Sequence, residues 1–293
     1  MPTLDQRFEA HRDLMTPAIT KVAQYLLDQP RRALVATASE LAREANVSDA
    51  TVIRAVQVLG YSGLPEMRRE VSEQLTARYD PRDELEHRVS DGVGMSRSAF
   101  EAVVTDAIDL LNETRTTLDE HAFNDAVRLL SNASHIVVAG WGTGAAAAEF
   151  ATLTLNRVGY RATAAMNSGF RLADDLAHLI DTDVVVILAP LLHVHEIDVT
   201  LDRAAQGGIP TILITEILGE KLKKRVTRVL NVAPSLRLNV SGMIGIIAVL
   251  DALILALASL NPDRARATWE RINALRGEFK TRSIADSPLL NRS

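Results

Sequence analysis

The sequence predicts an all-helical N-terminal unit followed by an α/β unit built on a parallel sheet with helices on both faces. Before about residue 80, apolar residues recur three and four apart inside short segments with capping signals. After His135 the pattern changes to β-branched runs: HIVVAG, the weaker YRATAA, DVVVILA, PTILIT and RVLNVA. The stretches between them are long enough for crossover helices. Strands that read as continuous apolar runs are buried on both faces, which implies a parallel sheet. A chain of 293 residues has room for both units.

Taken in order, Thr16 caps a first helix with Pro17 at its first position, and Ile19, Val22, Ala23, Leu26 and Leu27 form its apolar face. Pro30 is read as its end. Thr37 and Glu40 stand at capping-box spacing and open a second helix that stops near Asn46. Ser48 caps a third, SDATVIRAVQVLG, and Gly60 terminates it. On this third helix Val52, Val56 and Leu59 share a core face, while Thr51, Arg54 and Val58 point away with Ala50 and Gln57 beside them. A helix pair with a tight joint at residues 45–47 has helix-turn-helix form, whose second helix enters the major groove. Arg54 and Gln57 have the donors and acceptors to reach base edges, and the capped helix start suits a phosphate. The same spacing also fits a plain three-helix bundle with a solvated face.

The polar stretch 81–96 reads as a linker. Phe100, Val103, Val104, Ala107, Ile108 and Leu111 then mark a long helix, and residues 125–130 another turn or two. A long apolar helix, 240–260, follows the last strand. An amphipathic one with Trp269, Ile272, Leu275 and Phe279 closes the sequence. The expected domains are therefore 1–80, a connecting region 81–124, and 125–293.

Composition narrows the function. There is no cysteine, so disulfides, thiolate metal sites and a cysteine nucleophile are excluded. A net charge of −5 argues against non-specific coating of nucleic acid but leaves room for a local basic reading face. The longest apolar run, 243–257, is interrupted by Gly245 and Asp251 and falls short of the roughly 20 residues of a membrane helix. With no signal-like start, the expected setting is the cytoplasm, with no membrane partner.

The run VVAGWGTGAAAAEF places Gly140, Gly142 and Gly144 between a strand and a helix, where backbone amides can cradle an anion. Gly140, Gly142 and Ala145 also stand at dinucleotide-fingerprint spacing, but residues 151–173 lack the acidic residue that a ribose requires. No cofactor is expected. His193, His195 and Glu196 lie where a later loop enters a helix, a set that suits a ligand contact or a solvated turn better than a metal.

The stretches MTPAITKVAQYLLDQP and ASELAREANVSDATVIRAVQVLGYSGLPEMRREV resemble the N-terminal domain of RpiR-type transcription regulators. Their most specific part is VSDATVIRAVQVLGYSG. This resemblance implies double-stranded DNA as a partner and makes Ser48, Ala50, Thr51, Arg54, Gln57 and Tyr61 the candidate contacts. Family members often carry basic residues near Gln57 and Val58, and neither is charged here. From about residue 125 to 260 the sequence resembles the sugar isomerase (SIS) domain of the same proteins, a flavodoxin-like fold that binds phosphosugars. The resemblance implies effector contacts at Gly142, Thr143, Gly144, Ser168, His193, His195, Glu196 and Ser241.

Set against the family's Ser-x-Ser-Gly-x-Thr loop, this sequence has Ala189 and Leu191 at the serines, Leu192 at the glycine and Val194 at the threonine. On the first loop Gly144 takes the usual serine position, and Thr143 keeps the one hydroxyl. Each lost charge-assisted hydrogen bond costs about 1.5 to 3 kcal/mol. A typical phosphosugar is therefore not the expected effector. A less charged or more apolar metabolite, sugar-derived or not, fits better, and a domain serving only assembly is the other reading. The regulator is expected to be a homodimer or homotetramer on a palindromic operator, and not an enzyme. A sugar-phosphate isomerase, the alternative from another class, needs a base and a phosphate anchor that neither loop supplies.

Overall fold

The computed structural model describes residues 2–77, 97–234 and 243–285. The expected linker 81–96 and the candidate Ser241 lie outside the described residues.

The N-terminal head has more helices than the three read from the sequence. They are α1 (Leu4–His11), α2 (Pro17–Asp28), α3 (Pro30–Val35), α4 (Ala38–Glu44), α5 (Asp49–Val58) and α6 (Leu64–Ala77). Thr3 and Gln6 close a capping box on α1, and Thr16 caps α2 with Pro17 at its first turn. Thr37 and Glu40 form the capping box of α4, and the Ser48 side chain accepts from the Thr51 amide at the start of α5. Pro30 does not merely stop α2: it stands at the first position of α3, where its missing N–H costs nothing. Gly60, with φ of 84°, takes the left-handed conformation just past α5. Leu26, Leu41, Val52, Val56 and Leu59 are fully buried between these helices.

Helices α7 (Arg97–Thr117) and α8 (Glu120–Asn132) lead into the second unit. Its sheet comprises β1 (Ile136–Gly140), β2 (Ala162–Ala165), β3 (Val184–Leu188), β4 (Thr211–Thr215) and β5 (Arg228–Asn231). All pairings are parallel and the order is β2-β1-β3-β4-β5. Every residue of β1, β3 and β4 is buried, whereas the edge strands β2 and β5 are only partly so. This accounts for the weak pattern of YRATAA.

The connecting helices are α9 (Thr143–Arg157), α10 (Phe170–Ala177), α11 (His195–Gln206) and the short α12 (Gly219–Leu222), followed by α13 (Met243–Leu260) and α14 (Pro262–Ala285). One face of the sheet, with Ile136, Val138, Val186 and Ile212, packs on α8, α9 and α13. The other, with Val137, Val185, Ile187 and Leu213, packs on α10, α11 and α12, in a core that continues into the head.

Among the described residues, α13 is the helix long and apolar enough to cross a membrane, at 18 residues and mean hydropathy 2.5. Here one side of it packs on the sheet. Phe100, Val104, Ile108 and Leu111 of α7 and Leu275 and Phe279 of α14, the residues whose spacing marks these helices, are exposed.

Candidate DNA-reading and effector sites

On the head, α5 follows α4 across a joint in which Asn46 adopts φ of 53°, a conformation that asparagine tolerates better than most residues. Ser48, Ala50, Arg54 and Gln57 are exposed on α5, and Arg43 is exposed in the last turn of α4. Thr51 is half-buried, its hydroxyl 2.9 Å from that of Ser48, so it belongs to the cap as well as to the surface. Val58, read as outward, is half-buried against the core of the head.

Tyr61 is a correction. It is 3 % exposed, beneath the Arg7 guanidinium, which lies 4.5 Å from the ring centroid. Arg7 is held there by a two-pronged pairing with Glu70 of α6 (3.1 and 3.0 Å). Burial first, then the Glu70 charge, pushes the Tyr61 phenol up to about 12. This side chain anchors α1 and does not face a groove.

A second network ties the reading helices to the rest of the chain. Arg32 of α3 pairs with Glu44 at the end of α4 (2.7 Å) and with Glu113 of α7, and Glu44 also accepts from Tyr25 of α2. Burial, and after it the Glu44 hydrogen bond, raises the Tyr25 phenol to about 12.

The effector candidates stand at the carboxyl edge of the sheet, around the β1/β3 switch point where such folds open a crevice. Gly142, Thr143 and Gly144 follow β1, Ser168 follows β2, and His193, His195 and Glu196 follow β3. Gly142 and Gly169 both take positive φ, at 59° and 61°, immediately before α9 and α10. Gly144 is buried, and a Cβ on it would lie 2.9 Å from the Leu188 carbonyl oxygen, so α9 approaches β3 only with glycine there. Thr143, Ser168 and His195 are exposed and Glu196 is half-buried. None of α9, α10 and α11 has a side-chain cap; in their first turns the amides of Gly144, Ala145, Leu172 and Ile197 bond to nearby backbone carbonyls.

His193 does not join that group freely. Its Nε2 sits 3.1 Å from Asp198, which also pairs with Arg225. Burial raises the Asp198 carboxyl, but the Arg225 and His193 hydrogen bonds outweigh it and hold the group below the usual carboxylate range. Among the described residues no cluster of His, Asp or Glu is placed to hold a metal ion.

Sequence reading missed the braces of this edge. Trp141 Nε1 donates to the Asn167 carbonyl (2.9 Å), and Asn167 in turn donates to Asp175 of α10. Trp141, beside the glycine loop, was the available signal. The loop after β3 is also bonded to the segment after β4: Thr215 Oγ1 donates to Ala189 O (2.6 Å) and Glu216 N to Pro190 O (3.1 Å). Next along that segment, Ile217 O accepts from Ser72 of α6 at 2.7 Å, in a buried contact. A cleft of about 410 Å³ opens at the opposite, amino end of the sheet, lined by Arg128, Asp183 and Arg228 among others. It touches none of the effector candidates.

These features define a class: a helix-turn-helix head docked on a parallel α/β domain. The profile of the helix-turn-helix domain, rpiR family, matches residues 3–78, and that of the SIS domain matches residues 129–256. An uncharacterized HTH-type transcriptional regulator of Haemophilus influenzae is 28% identical over 206 residues, 70% of each chain. The sugar isomerase domain of an RpiR transcription factor from Sphaerobacter thermophilus shares 29% identity at TM-score 0.54, over 59% of this chain and 97% of that structure. The Vibrio vulnificus NanR protein complexed with ManNAc-6P shares the fold, with TM-score 0.56 and 20% identity over 93% of this chain and 97% of that one. The chain belongs to the RpiR family of DNA-binding transcription regulators, with an N-terminal helix-turn-helix and a C-terminal SIS domain.

Proposed function

We propose that a small metabolite, held at the carboxyl edge of the SIS sheet between β1 and β3, controls how the head binds a palindromic operator. The observation that carries this reading is the bonded path from the loop after β3 to the head. Ala189 and Pro190 bond to Thr215 and Glu216, and the adjacent Ile217 carbonyl holds Ser72 of α6. A ligand that prefers one arrangement of the β3 loop thereby biases one docking of the head, which is the differential contact that coupling requires.

In this reading Arg54 and Gln57 reach base edges, while Ser48, Ala50 and Thr51 at the start of α5 lie against the backbone and methyl groups. The effector is not a typical phosphosugar. Ala189 is buried, and Leu191 and Val194 pack half-buried against the core, so the loop offers apolar surface where paired hydroxyls would be needed. Gly142, Thr143, Gly144 and Ser168 contribute backbone amides and hydroxyls, with His195 and Glu196 at the rim. In this reading the protein works in the cytoplasm as a homodimer or homotetramer and is not an enzyme: among the described residues the loop after β3 carries apolar side chains where a phosphate anchor would need hydroxyls, and His193 is engaged by Asp198.

Footprinting on DNA upstream of its own and neighbouring genes tests the reader. Arg54→Ala should weaken a salt-dependent footprint by about tenfold or more, equivalent to about 1–3 kcal/mol, without lowering the melting temperature. An unchanged footprint overturns the assignment of α5. A thermal-shift screen tests the effector: strong stabilisation by a sugar phosphate would overturn the reading of the β3 loop.

A further inference from the structure

The cleft of about 410 Å³ at the amino end of the sheet is within the size range of small-molecule sites, and nothing in the regulator reading uses it. Its floor is the start of β3, β4 and β5, with Val184, Pro210 and Arg228, and α8 walls it with Leu129 and Ala133. The frame is braced. Thr211 N donates to Thr227 Oγ1 (3.0 Å) and Thr227 N to Thr211 Oγ1 (3.1 Å), which ties the start of β4 to that of β5. Ser134 N, just past α8, donates to Thr182 O (2.9 Å), which ties the helix end to the loop before β3. A cleft fixed in this way needs little reordering to receive a ligand.

Its charges are divided between the two ends. At the β5 end Arg128 and Arg228 share a single carboxylate, Asp125. Arg228 donates to it through Nε (2.6 Å) and Nη2 (2.5 Å), and Arg128 through Nη2. The Nη1 of Arg228 is taken by the Thr227 carbonyl (2.6 Å). The Arg128 side chain is 69% exposed and has no second side-chain partner among the described residues, so this end has one cation in excess. At the β3 end stand Asp181, which is exposed, and Asp183, which is 4% exposed and accepts from Ile180 N (2.9 Å). Among the described residues no Lys or Arg pairs with either. His135 nearby is no counter-ion at neutral pH, because burial lowers its pKa.

We propose that this cleft binds a zwitterion with separated charges, of the ω-amino acid class, its carboxylate on Arg128, its ammonium on Asp181 and Asp183, and its carbon chain across Leu129 and Pro210. The spacing selects the class. Because β4 lies between β3 and β5, the two ends are two strand intervals apart, about 10 Å. Side chains reach inward from both ends, and a chain of about five carbons closes the remainder. An α-amino acid, with both charges on one carbon, meets one end only. A sugar phosphate brings its dianion to a site whose other half is acidic, and a diamine brings a cation to the arginines. Each meets a repulsion that the zwitterion avoids.

Equilibrium dialysis of the full chain against ε-aminocaproate at neutral pH tests it. Saturable binding is expected, with caproate, hexylamine and glycine each about tenfold weaker or worse. Arg128→Ala should bind ε-aminocaproate no tighter than hexylamine, and Asp181→Asn should bind it about tenfold more weakly than the wild type. Both side chains are exposed, and circular dichroism checks that each variant is folded. If one does not fold, the other decides. Absence of binding at millimolar ε-aminocaproate overturns the proposal, as does equal binding of caproate or hexylamine, or a folded variant that binds like the wild type. Neither substitution lies at the carboxyl edge or on the head, so failure here leaves the effector screen and the footprint standing, and the reverse also holds.

Discussion

Four helices of the head and three at the carboxyl edge of the sheet begin in different ways. Thr3, Thr16, Thr37 and Ser48 each accept from an amide in the first turn of α1, α2, α4 and α5. Helices α9, α10 and α11 start at Gly142, Gly169 and Val194 with no side-chain cap. Four orphan amides at a helix start must find partners somewhere. In the head they find them locally, which leaves a stable frame for carrying a reading surface. At the sheet edge no side chain serves them, and Gly144, Ala145, Leu172 and Ile197 turn instead to the carbonyls of Trp141, Gly142, Gly169 and Val194.

The contrast can be broken at several points. The largest effect is expected at Gly140, where a Cβ would collide with the Gly144 carbonyl in the first turn of α9. Gly140→Ala should destabilise the SIS domain by about 3 kcal/mol, read by urea unfolding. A wild-type midpoint would mean that α9 can shift away from β1. Next comes a cap removed without changing shape: Thr37→Val should cost about 1–2 kcal/mol in the same measurement. The converse substitution gives a smaller gain. Val194 has φ of −85° and ψ of 157°, already suited to capping, so Val194→Thr should stabilise by about 0.5–1 kcal/mol. If the α11 amides contact the effector, it should also reduce whatever stabilisation a hit from the metabolite screen confers.

At neutral pH the tyrosines contribute no change, and their effect appears only in alkali. The phenols of Tyr25 and Tyr61 are both raised to about 12 by burial first and by neighbouring carboxylates second. A folded pKa above the unfolded value of 10 contributes stability that is complete below pH 10 and is lost as pH rises through 12. Alkaline unfolding followed by phenolate absorbance should therefore set in above pH 10 and be shifted to higher pH in Tyr61→Phe. No shift would mean that Tyr61 is ionised without strain.

Local signals were legible in the sequence and distant pairings were not. The Thr37–Glu40 box, the Ser48 cap and the Gly60 stop are all encoded within a few residues, and the five strand runs all lie in the sheet. Tyr61 was misread because α1 was not identified, and Arg7 of α1 is what covers the ring. Pro30 was read as a stop although proline also starts helices, so α3 and its Arg32 network were missed. The pairing of His193 with Asp198 is local, but Arg225, which completes it, arrives from 27 residues away. The ridge on α7 was legible as a helix face, but periodicity does not say that such a face is exposed.

The buried hydrogen bond from Ser72 to Ile217 has a further consequence for how the chain melts. Around it a single apolar core runs from the head through α12 to one face of the sheet. Separating the two domains would strand that hydroxyl and carbonyl and expose the core between them. The head and the SIS domain should thus unfold in one calorimetric transition.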